Sequence, residues 1–271
     1  MKKLLLSAVF ATSAFALAAC GGGEEEKTLK IGASNVPHAE ILEEAQPLLE
    51  EKGIELDIVP FQDYILPNKS LASEEIDANY FQHIPYLESQ MAENKDYDFV
   101  NAGGIHIEPI GVYSKKHKSL EDIPEGGTII MSNSVADHGR MLSLLEKEGL
   151  ITIKEGVDKT TATVDDIDEN KKNLKFKADV EASILPQAYN NDEGDAVLIN
   201  TNYAIGAGLN PQKDAIALEG SDSPYVNIIT VRKGDENKEE IKALVEVLHS
   251  EEIQKFIEEK YEGAVVPVDG K

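Results

Sequence analysis

The chain has 271 residues, 41% of them hydrophobic, and its 50 acidic against 26 basic side chains give a formal net charge of −24. That length accommodates one large or two ordinary domains, and that charge excludes attraction to nucleic acid phosphates or anionic lipid. A single cysteine, Cys20, excludes an intramolecular disulfide and a cysteine-built metal site.

The first twenty residues, MKKLLLSAVFATSAFALAAC, carry Lys2 and Lys3 and then an uncharged run from Leu4 to Ala19. The run is short and rich in small residues, which makes residues 1–19 a secretion signal rather than a membrane span. Its end, LAAC, resembles the bacterial lipobox, in which cleavage exposes a cysteine for acylation; this implies lipidation at Cys20. A secreted chain with a stray thiol is the alternative. The following GGGEEEKT makes residues 20–28 a solvated tether.

From Leu29, LKIGAS reads as a strand, and AEILEEAQPLLEEKG sets Ile41, Leu42, Ala45, Leu48 and Leu49 on one helical face, with Gly53 as the stop. Pro47 predicts a kink or an early break. Strands are expected at IELDIVPF, FVNAGG, IEPIGVYS, TIIMSN, LKFKA, DAVLINTNYA and YVNIITVRK, and helices at GRMLSLLEKEGL, NKEEIKALVEVLHS and EEIQKFIEEKY. The stretch DANYFQHIPYL, Asp77 to Leu87, gathers three aromatic rings, a histidine and a glutamine in a chain without tryptophan. It reads as a strand-to-helix loop over DANYFQH followed by a helix over IPYLESQM, whose Leu87 and Met91 face a core.

This alternation predicts an α/β fold with mixed sheets flanked by helices. The polar segment KKHKSLEDIPEGGTIIMSN marks a first crossing and SPYVNIITVRKG a return, so residues 29–113 with 229–271 form lobe 1 and residues 114–228 form lobe 2. Two crossings make a hinge, with a ligand cleft between the lobes.

Ligands of open α/β sheets bind beyond the carboxyl ends of the strands. The loops there offer Tyr64 in FQDYILPN, the rings of DANYFQH, Arg140 in SNSVADHGR, and Asn200, Asn202 and Asn227 in LINTNYA and SPYVN. Only two of the basic residues are arginines, Arg140 and Arg232, and arginine's planar fork suits a carboxylate. Arg140 begins the helical run RMLSLLEKEGL, where helix amides also face an anion; a surface arginine is the plainer reading. Arg232, beside Lys233 and Gly234, reads as solvent-facing.

The segments FQDYILPN, DANYFQHIPYL, GGIHIEPIGVYS, LINTNYA and SPYVNII, in this order behind a lipobox, resemble the NlpA/MetQ family of lipoprotein substrate-binding components of methionine ABC importers. The resemblance runs from about Leu29 to EGAVVPV; where the family has an Asn-Asp-Pro-Thr-Asn type loop, this chain reads NSVADHG. It implies a two-lobed, periplasmic-binding-protein-like fold of the type II kind, lipid-anchored on the extracytoplasmic face of the cell membrane. The implied ligand is L-methionine or a close analogue, the implied partners are an ABC permease and its ATPase, and no cofactor is implied. It further implies that Arg140 pairs with the ligand α-carboxylate and that Asn200 and Asn227 fix its polar head. Tyr64 and Phe81 suit a thioether, with Tyr80 and Asn202 as further candidates. His83 either donates to the ligand or merely begins a helix, Glu108 either balances a ligand ammonium or buttresses the hinge, and Tyr86 is assigned to packing.

Three rival functions are set beside this. An enzyme lacks support, because Gly-x-Ser-x-Gly, a Walker loop and His-Glu-x-x-His are missing, and the His-x-Glu of HIE lacks the Pro-Cys-x-x-Cys of zinc deaminases. A metal-ion binding lipoprotein of an ABC importer could draw on His38, His83, His106 and His138 with Glu108, but these residues are scattered singly. A purely structural or adhesive lipoprotein has no need of a hinged cleft.

Overall fold

The computed structural model describes residues 27–220 and 222–269. The signal segment, Cys20 and the tether as far as Glu26 lie outside the described residues. The chain opens with β1 (Lys27–Ser34), a wide turn over Asn35–Ala39, α1 (Glu40–Glu50), β2 (Ile54–Phe61), α2 (Leu66–Ala72), β3 (Ala78–His83), α3 (Ile84–Glu93) and β4 (Phe99–Ile107). It continues through β5 (Gly111–Tyr113), β6 (Thr128–Ser132), α4 (Val135–Lys147), β7 (Ile151–Ile153), β8 (Ile167–Asn170), β9 (Lys175–Val180), α5 (Leu185–Asn190), β10 (Ala196–Ile199), α6 (Thr201–Gly206), α7 (Pro211–Asp214) and β11 (Ala217–Leu218). It returns through β12 (Val226–Arg232), α8 (Glu239–Leu248), α9 (Glu251–Tyr261) and β13 (Val266–Pro267).

These strands form two mixed sheets, ordered β13-β4-β12-β3-β1-β2 and β11-β5-β10-β6-β9, with β7 and β8 as a separate antiparallel pair. In the first sheet β1 runs parallel to β2 and β3, while β12 pairs antiparallel with β3 and β4. Each sheet has its own core: Ile31, Leu42, Ile105, Ile229 and Leu244 pack in the first, and Val112, Ile129, Met141, Leu145 and Leu198 in the second. The chain passes from one sheet to the other at residues 108–110 and back at residues 219–225. β5, which the sequence reading grouped with the first lobe, pairs with β10 and β11 in the second sheet.

Helix α1 runs through Pro47 without a break. Proline leaves one carbonyl of the preceding turn unpaired, and Pro47 lies on the exposed face of the helix. Ile41, Leu42, Ala45 and Leu49 bury the opposite face as the spacing predicts.

DANYFQH is a strand rather than a loop: β3 covers Ala78–His83 with all six residues buried. Its polar residues hide the strand signal, and its neighbours explain why they are tolerated. Gln82 Nε2 donates to Asn68 Oδ1 at 2.9 Å and to Thr230 Oγ1 at 3.1 Å, Asn68 Nδ2 donates to Gln82 Oε1 at 3.0 Å, and Asn79 Nδ2 donates to Asn68 Oδ1 at 2.9 Å. Such a network satisfies groups that would otherwise oppose burial. His83 then caps α3, its Nδ1 accepting the Tyr86 backbone N–H at 3.2 Å, with proline in the first turn.

Two expectations about arginine change. Helix α4 starts at Val135, so Arg140 lies in its second turn rather than at its start, and Asp137 occupies the first turn. Arg232 is not a free surface charge: it donates to the carbonyls of Leu71 at 3.0 Å and Ile76 at 2.6 Å and pairs with Asp77 and Asp235.

Gly139 explains how α4 sits so deep. A Cβ there would stand 2.1 Å from the Lys159 carbonyl oxygen, so only glycine allows this approach. Gly139→Ala is expected to cost about 1–3 kcal/mol of stability; a chemical denaturation midpoint equal to that of the parent would contradict this packing.

Candidate functional site

Between the two sheets lies a narrow cleft whose empty space, open mouth included, is about 380 Å³. It is lined by Tyr64, Phe81, His83, Glu108, Arg140, Asn200, Asn202 and Asn227, and also by Gln82, Tyr86, Asp137 and Thr201. Tyr80 lies outside this lining, fully buried behind it with its hydroxyl on His106 Nδ1. Tyr86, assigned to packing from the sequence, lines the cleft and sends its hydroxyl to the Tyr64 carbonyl at 2.8 Å.

One end of the cleft is aromatic. Tyr64, Phe81 and Tyr86 form a triangle with centroid separations of 6.0–6.1 Å, in the range of favourable ring pairs. β3 supplies Phe81 and the helix that it caps supplies Tyr86. Tyr64 reaches across the cleft, its hydroxyl donating to Asn202 Oδ1 at 2.6 Å.

The other end is built on Arg140. Its Nε donates to Glu219 Oε2 at 3.0 Å, and its Nη2 donates to the same oxygen and to the Glu108 carbonyl at 2.6 Å. The ring of Tyr225 lies 4.7 Å from the guanidinium carbon. Glu108 and Glu219 sit in the two crossings, so one guanidinium ties both crossings to α4. The nitrogen left over is Nη1, whose ion-pair neighbour is Asp137 Oδ1 at 3.9 Å.

Asp137 joins the lobes. Its Oδ1 accepts from His83 Nε2 at 3.0 Å, and its Oδ2 accepts from Asn200 Nδ2 at 3.1 Å. Burial pushes its carboxyl up, but the hydrogen bond and charge of His83, with Arg140 and Asn200, outweigh that and hold it down at about 2. Burial also opposes the charge of Arg140, and Glu219 and Asp137 more than offset it. Asn200 Oδ1 is buried with no hydrogen-bond partner.

Glu108 is handled differently. Its Oε1 lies 2.8 Å from His106 Nε2 and 3.2 Å from His38 Nε2, and His38 Nε2 is also 3.1 Å from Asn227 Oδ1. Burial raises the Glu108 carboxyl against the opposing pull of His38 and Arg140. Burial lowers His38 to about 4, partly resisted by Glu108, and lowers His106 to about 3.

Of the five residues weighed as metal ligands, only His38, His106 and Glu108 come together, with ligand atoms within 4.8 Å of one another. His83 is taken by Asp137, and His138 Nε2 donates to the Ser132 carbonyl at 2.8 Å. The residues missed from sequence are Asp137, Glu219 and Tyr225. Asp137 had a signal, an acidic residue three positions before the arginine on one helix; Glu219 and Tyr225 lie in a loop without periodicity.

A model of the NlpA lipoprotein family matches residues 29–269. The methionine-binding lipoprotein MetQ of Bacillus subtilis is 55% identical over 99% of this chain and 99% of its own. A solved nutrient-binding protein from Burkholderia cenocepacia, bound to methionine, superposes with a TM-score of 0.83 at 42% identity, covering 88% of this chain and 99% of that one. A periplasmic substrate-binding protein of an ABC transporter from Coxiella burnetii gives a TM-score of 0.83 at 36% identity, covering 89% and 100%. The two-sheet architecture is accordingly a periplasmic-binding-protein-like fold.

The buried histidines set a pH dependence of stability. Unfolded, each ring titrates near 6.5; folded, His38 protonates only near 4 and His106 near 3. Below pH 6.5 the unfolded chain therefore binds more protons, and stability falls with pH by up to about 1.4 kcal/mol per unit per ring. The urea midpoint should drop steadily from pH 6.5 to pH 4; a flat midpoint over that window would mean that the rings are not buried and uncharged.

Proposed function

The chain belongs to the NlpA lipoprotein family, and on that footing we propose that it is a lipid-anchored substrate-binding protein that captures methionine outside the cytoplasm and hands it to an ABC import permease. Arg140 Nη1 carries this reading: every other guanidinium nitrogen is bonded to the crossings, which leaves this one on a residue that lines the same cleft as three rings. A methionine laid along the cleft meets a matching group at each end. Its α-carboxylate takes Nη1, its ammonium faces the Glu108 carboxylate and the unpartnered Asn200 Oδ1, and its thioether enters the triangle of Tyr64, Phe81 and Tyr86. Sulfur-to-ring contacts add about 0.3–1.5 kcal/mol each. Asn202 and Asn227 flank the head group.

The first sheet with its helices is lobe 1 and the second sheet with its helices is lobe 2, hinged at residues 108–110 and 219–225. Ligand contacts come from both lobes, so methionine favours the closed arrangement by population shift. The relatives named above are binding proteins, and the groups in this cleft recognise a ligand rather than transform it. Among the described residues no helix is long and apolar enough to cross a membrane, which fits anchoring through lipid on Cys20.

The metal-binding alternative has one observation in its favour, the grouping of His38, His106 and Glu108. Hydrogen bonding accounts for that grouping without a cation, because His106 Nε2 donates to the Glu108 carboxylate and His38 Nε2, 3.2 Å from the same oxygen, is bonded to Asn227 Oδ1.

Mass spectrometry of small molecules released on denaturing the purified protein should yield methionine, and calorimetry should show methionine binding to the stripped protein. Arg140→Ala is expected to weaken that binding by about 3 kcal/mol or more, since a carboxylate in a closed cleft loses its partner; parent-like affinity would sink the assignment. For the anchor, Cys20→Ala should shift the protein from the membrane fraction to the medium or periplasm, and retention of the variant in the membrane fraction would contradict lipid attachment there.

A further inference from the structure

Behind the cleft, Tyr80, His106, Glu108, His38 and Asn227 form an unbroken chain of buried polar contacts, each residue at least nine-tenths buried. Donor and acceptor roles along it follow from one fixed point. An ionised carboxylate only accepts, so His106 Nε2 and His38 Nε2, both against Glu108 Oε1, must each carry a hydrogen. With its single proton on Nε2, the His106 ring has an accepting Nδ1, and the Tyr80 hydroxyl beside it donates. His38 Nδ1 is buried with no partner, as suits the bare nitrogen of an uncharged ring. Because His38 Nε2 donates, the Asn227 atom 3.1 Å away is the amide oxygen, and the Asn227 NH₂ is left as a donor on a residue that lines the cleft.

We propose that His38 and His106 are positioning residues for the amino-acid head group: together they aim the Glu108 carboxylate at the ligand ammonium, and His38 also fixes the Asn227 amide with its donor toward the ligand. This rests on the reading of the cleft as a methionine site and deepens it. The function lies in the geometry of a single oxygen. His106 Nε2 bonds Glu108 Oε1 and His38 Nε2 lies 3.2 Å from the same oxygen, and together they hold the carboxylate of this cleft-lining residue against lobe 1. Burial holds both rings uncharged to well below neutral pH, so they orient Glu108 without neutralising it. An uncharged donor preserves the negative charge that an ammonium seeks, whereas a lysine or arginine in the same place would cancel it. Tyr80 completes the arrangement by holding His106 in the required tautomer.

The test compares L-methionine with its des-amino analogue, 4-(methylthio)butanoate, which keeps the carboxylate and thioether and lacks the ammonium. Calorimetry at pH 7 on the parent should show methionine preferred by roughly a hundredfold or more, the scale of a charge-assisted contact in a buried site. His106→Leu should cut that preference about tenfold while leaving the affinity for the analogue within about threefold, because His106 touches Glu108 and not the carboxylate end. His38→Leu should lower the preference and weaken the analogue as well, through Asn227, and His38→Gln, which retains an N–H donor, should recover part of both losses. Tyr80→Phe, the mildest change, should reduce the preference several-fold and decides the matter if the leucine variants fail to fold by thermal denaturation. A parent-like preference in His106→Leu, or in Tyr80→Phe where that variant has to decide, overturns the proposal while leaving the methionine reading intact. So does tight zinc binding to the parent that His106→Leu abolishes, which would make the histidines metal ligands. A parent protein that binds neither compound overturns the methionine reading itself.

Discussion

A guanidinium kept out of water is the constraint around which the molecule is arranged. Arg140 is almost completely buried, and a buried charge is tolerated only with close, well-directed partners. Its partners are the carboxylate of Glu219 and the carbonyl of Glu108, one from each segment joining the two sheets. The same ion pair thus orders both crossings and fixes where the remaining nitrogen points. Glu219 is anchored in turn by the Ile110 backbone N–H at 3.1 Å and by the Ser223 hydroxyl at 2.8 Å, which keeps the pair from trading one geometry for another. In the proposed reading, hinge and binding site share this central residue.

Around that one cation stand three carboxylates, Glu108, Asp137 and Glu219, in a protein whose overall charge is already strongly negative. Such a cleft repels a simple anion and accepts a ligand that brings a positive charge of its own. In the proposed reading a zwitterion satisfies both requirements, with its carboxylate on Arg140 and its ammonium among the acids. The two acids facing the cleft most directly are managed by opposite means. Asp137 is held ionised by a hydrogen bond from His83 and by nearby positive charge, and that contact links α4 to the end of β3. Glu108 has His106 and His38 of the first sheet against one oxygen, and burial pushes its carboxyl up.

Much of the fold was legible in the sequence, and the reasons are local. Helices α8 and α9 and strands β1, β2, β6, β9 and β12 carry clear periodicity, and the structure places them where the pattern does. Strand β3 was misread because periodicity arguments assume that buried means apolar; Asn79 and Gln82 are buried by virtue of Asn68 and Thr230, partners 11 and 148 residues away. The start of α4 was placed too late because NSVADHG contains loop-forming residues, and the packing that makes it helical, Gly139 against the Lys159 carbonyl, is a contact between segments. Eight of the nine residues singled out for the ligand line one cleft, since strand-end loops with polar and aromatic side chains are a topological signal. The supporting residues were not legible: Glu219 and Tyr225 acquire meaning only once Arg140 lies between the crossings, and His38 only once β1 brings it beside Glu108.

The register of β3 shows how finely the backbone sets the aromatic end. Between Ile228 and Ile229 of β12 the pairing shifts: Ile228 faces Gln82 and Ile229 faces Tyr80, so Phe81 is the extra residue of a bulge. A bulge locally bends the strand, while the alternation of side chains along it sends two neighbouring rings to opposite faces. Tyr80 turns into the core of the first lobe, onto His106 and thence to Glu108, while Phe81 joins Tyr64 and Tyr86 in the cleft wall. In the proposed reading, the ring that meets an apolar ligand tail is thus next in sequence to the ring that steadies the acceptor for its polar head. One strand of the first sheet thus supplies a ring to the cleft wall and a ring to the polar network behind it.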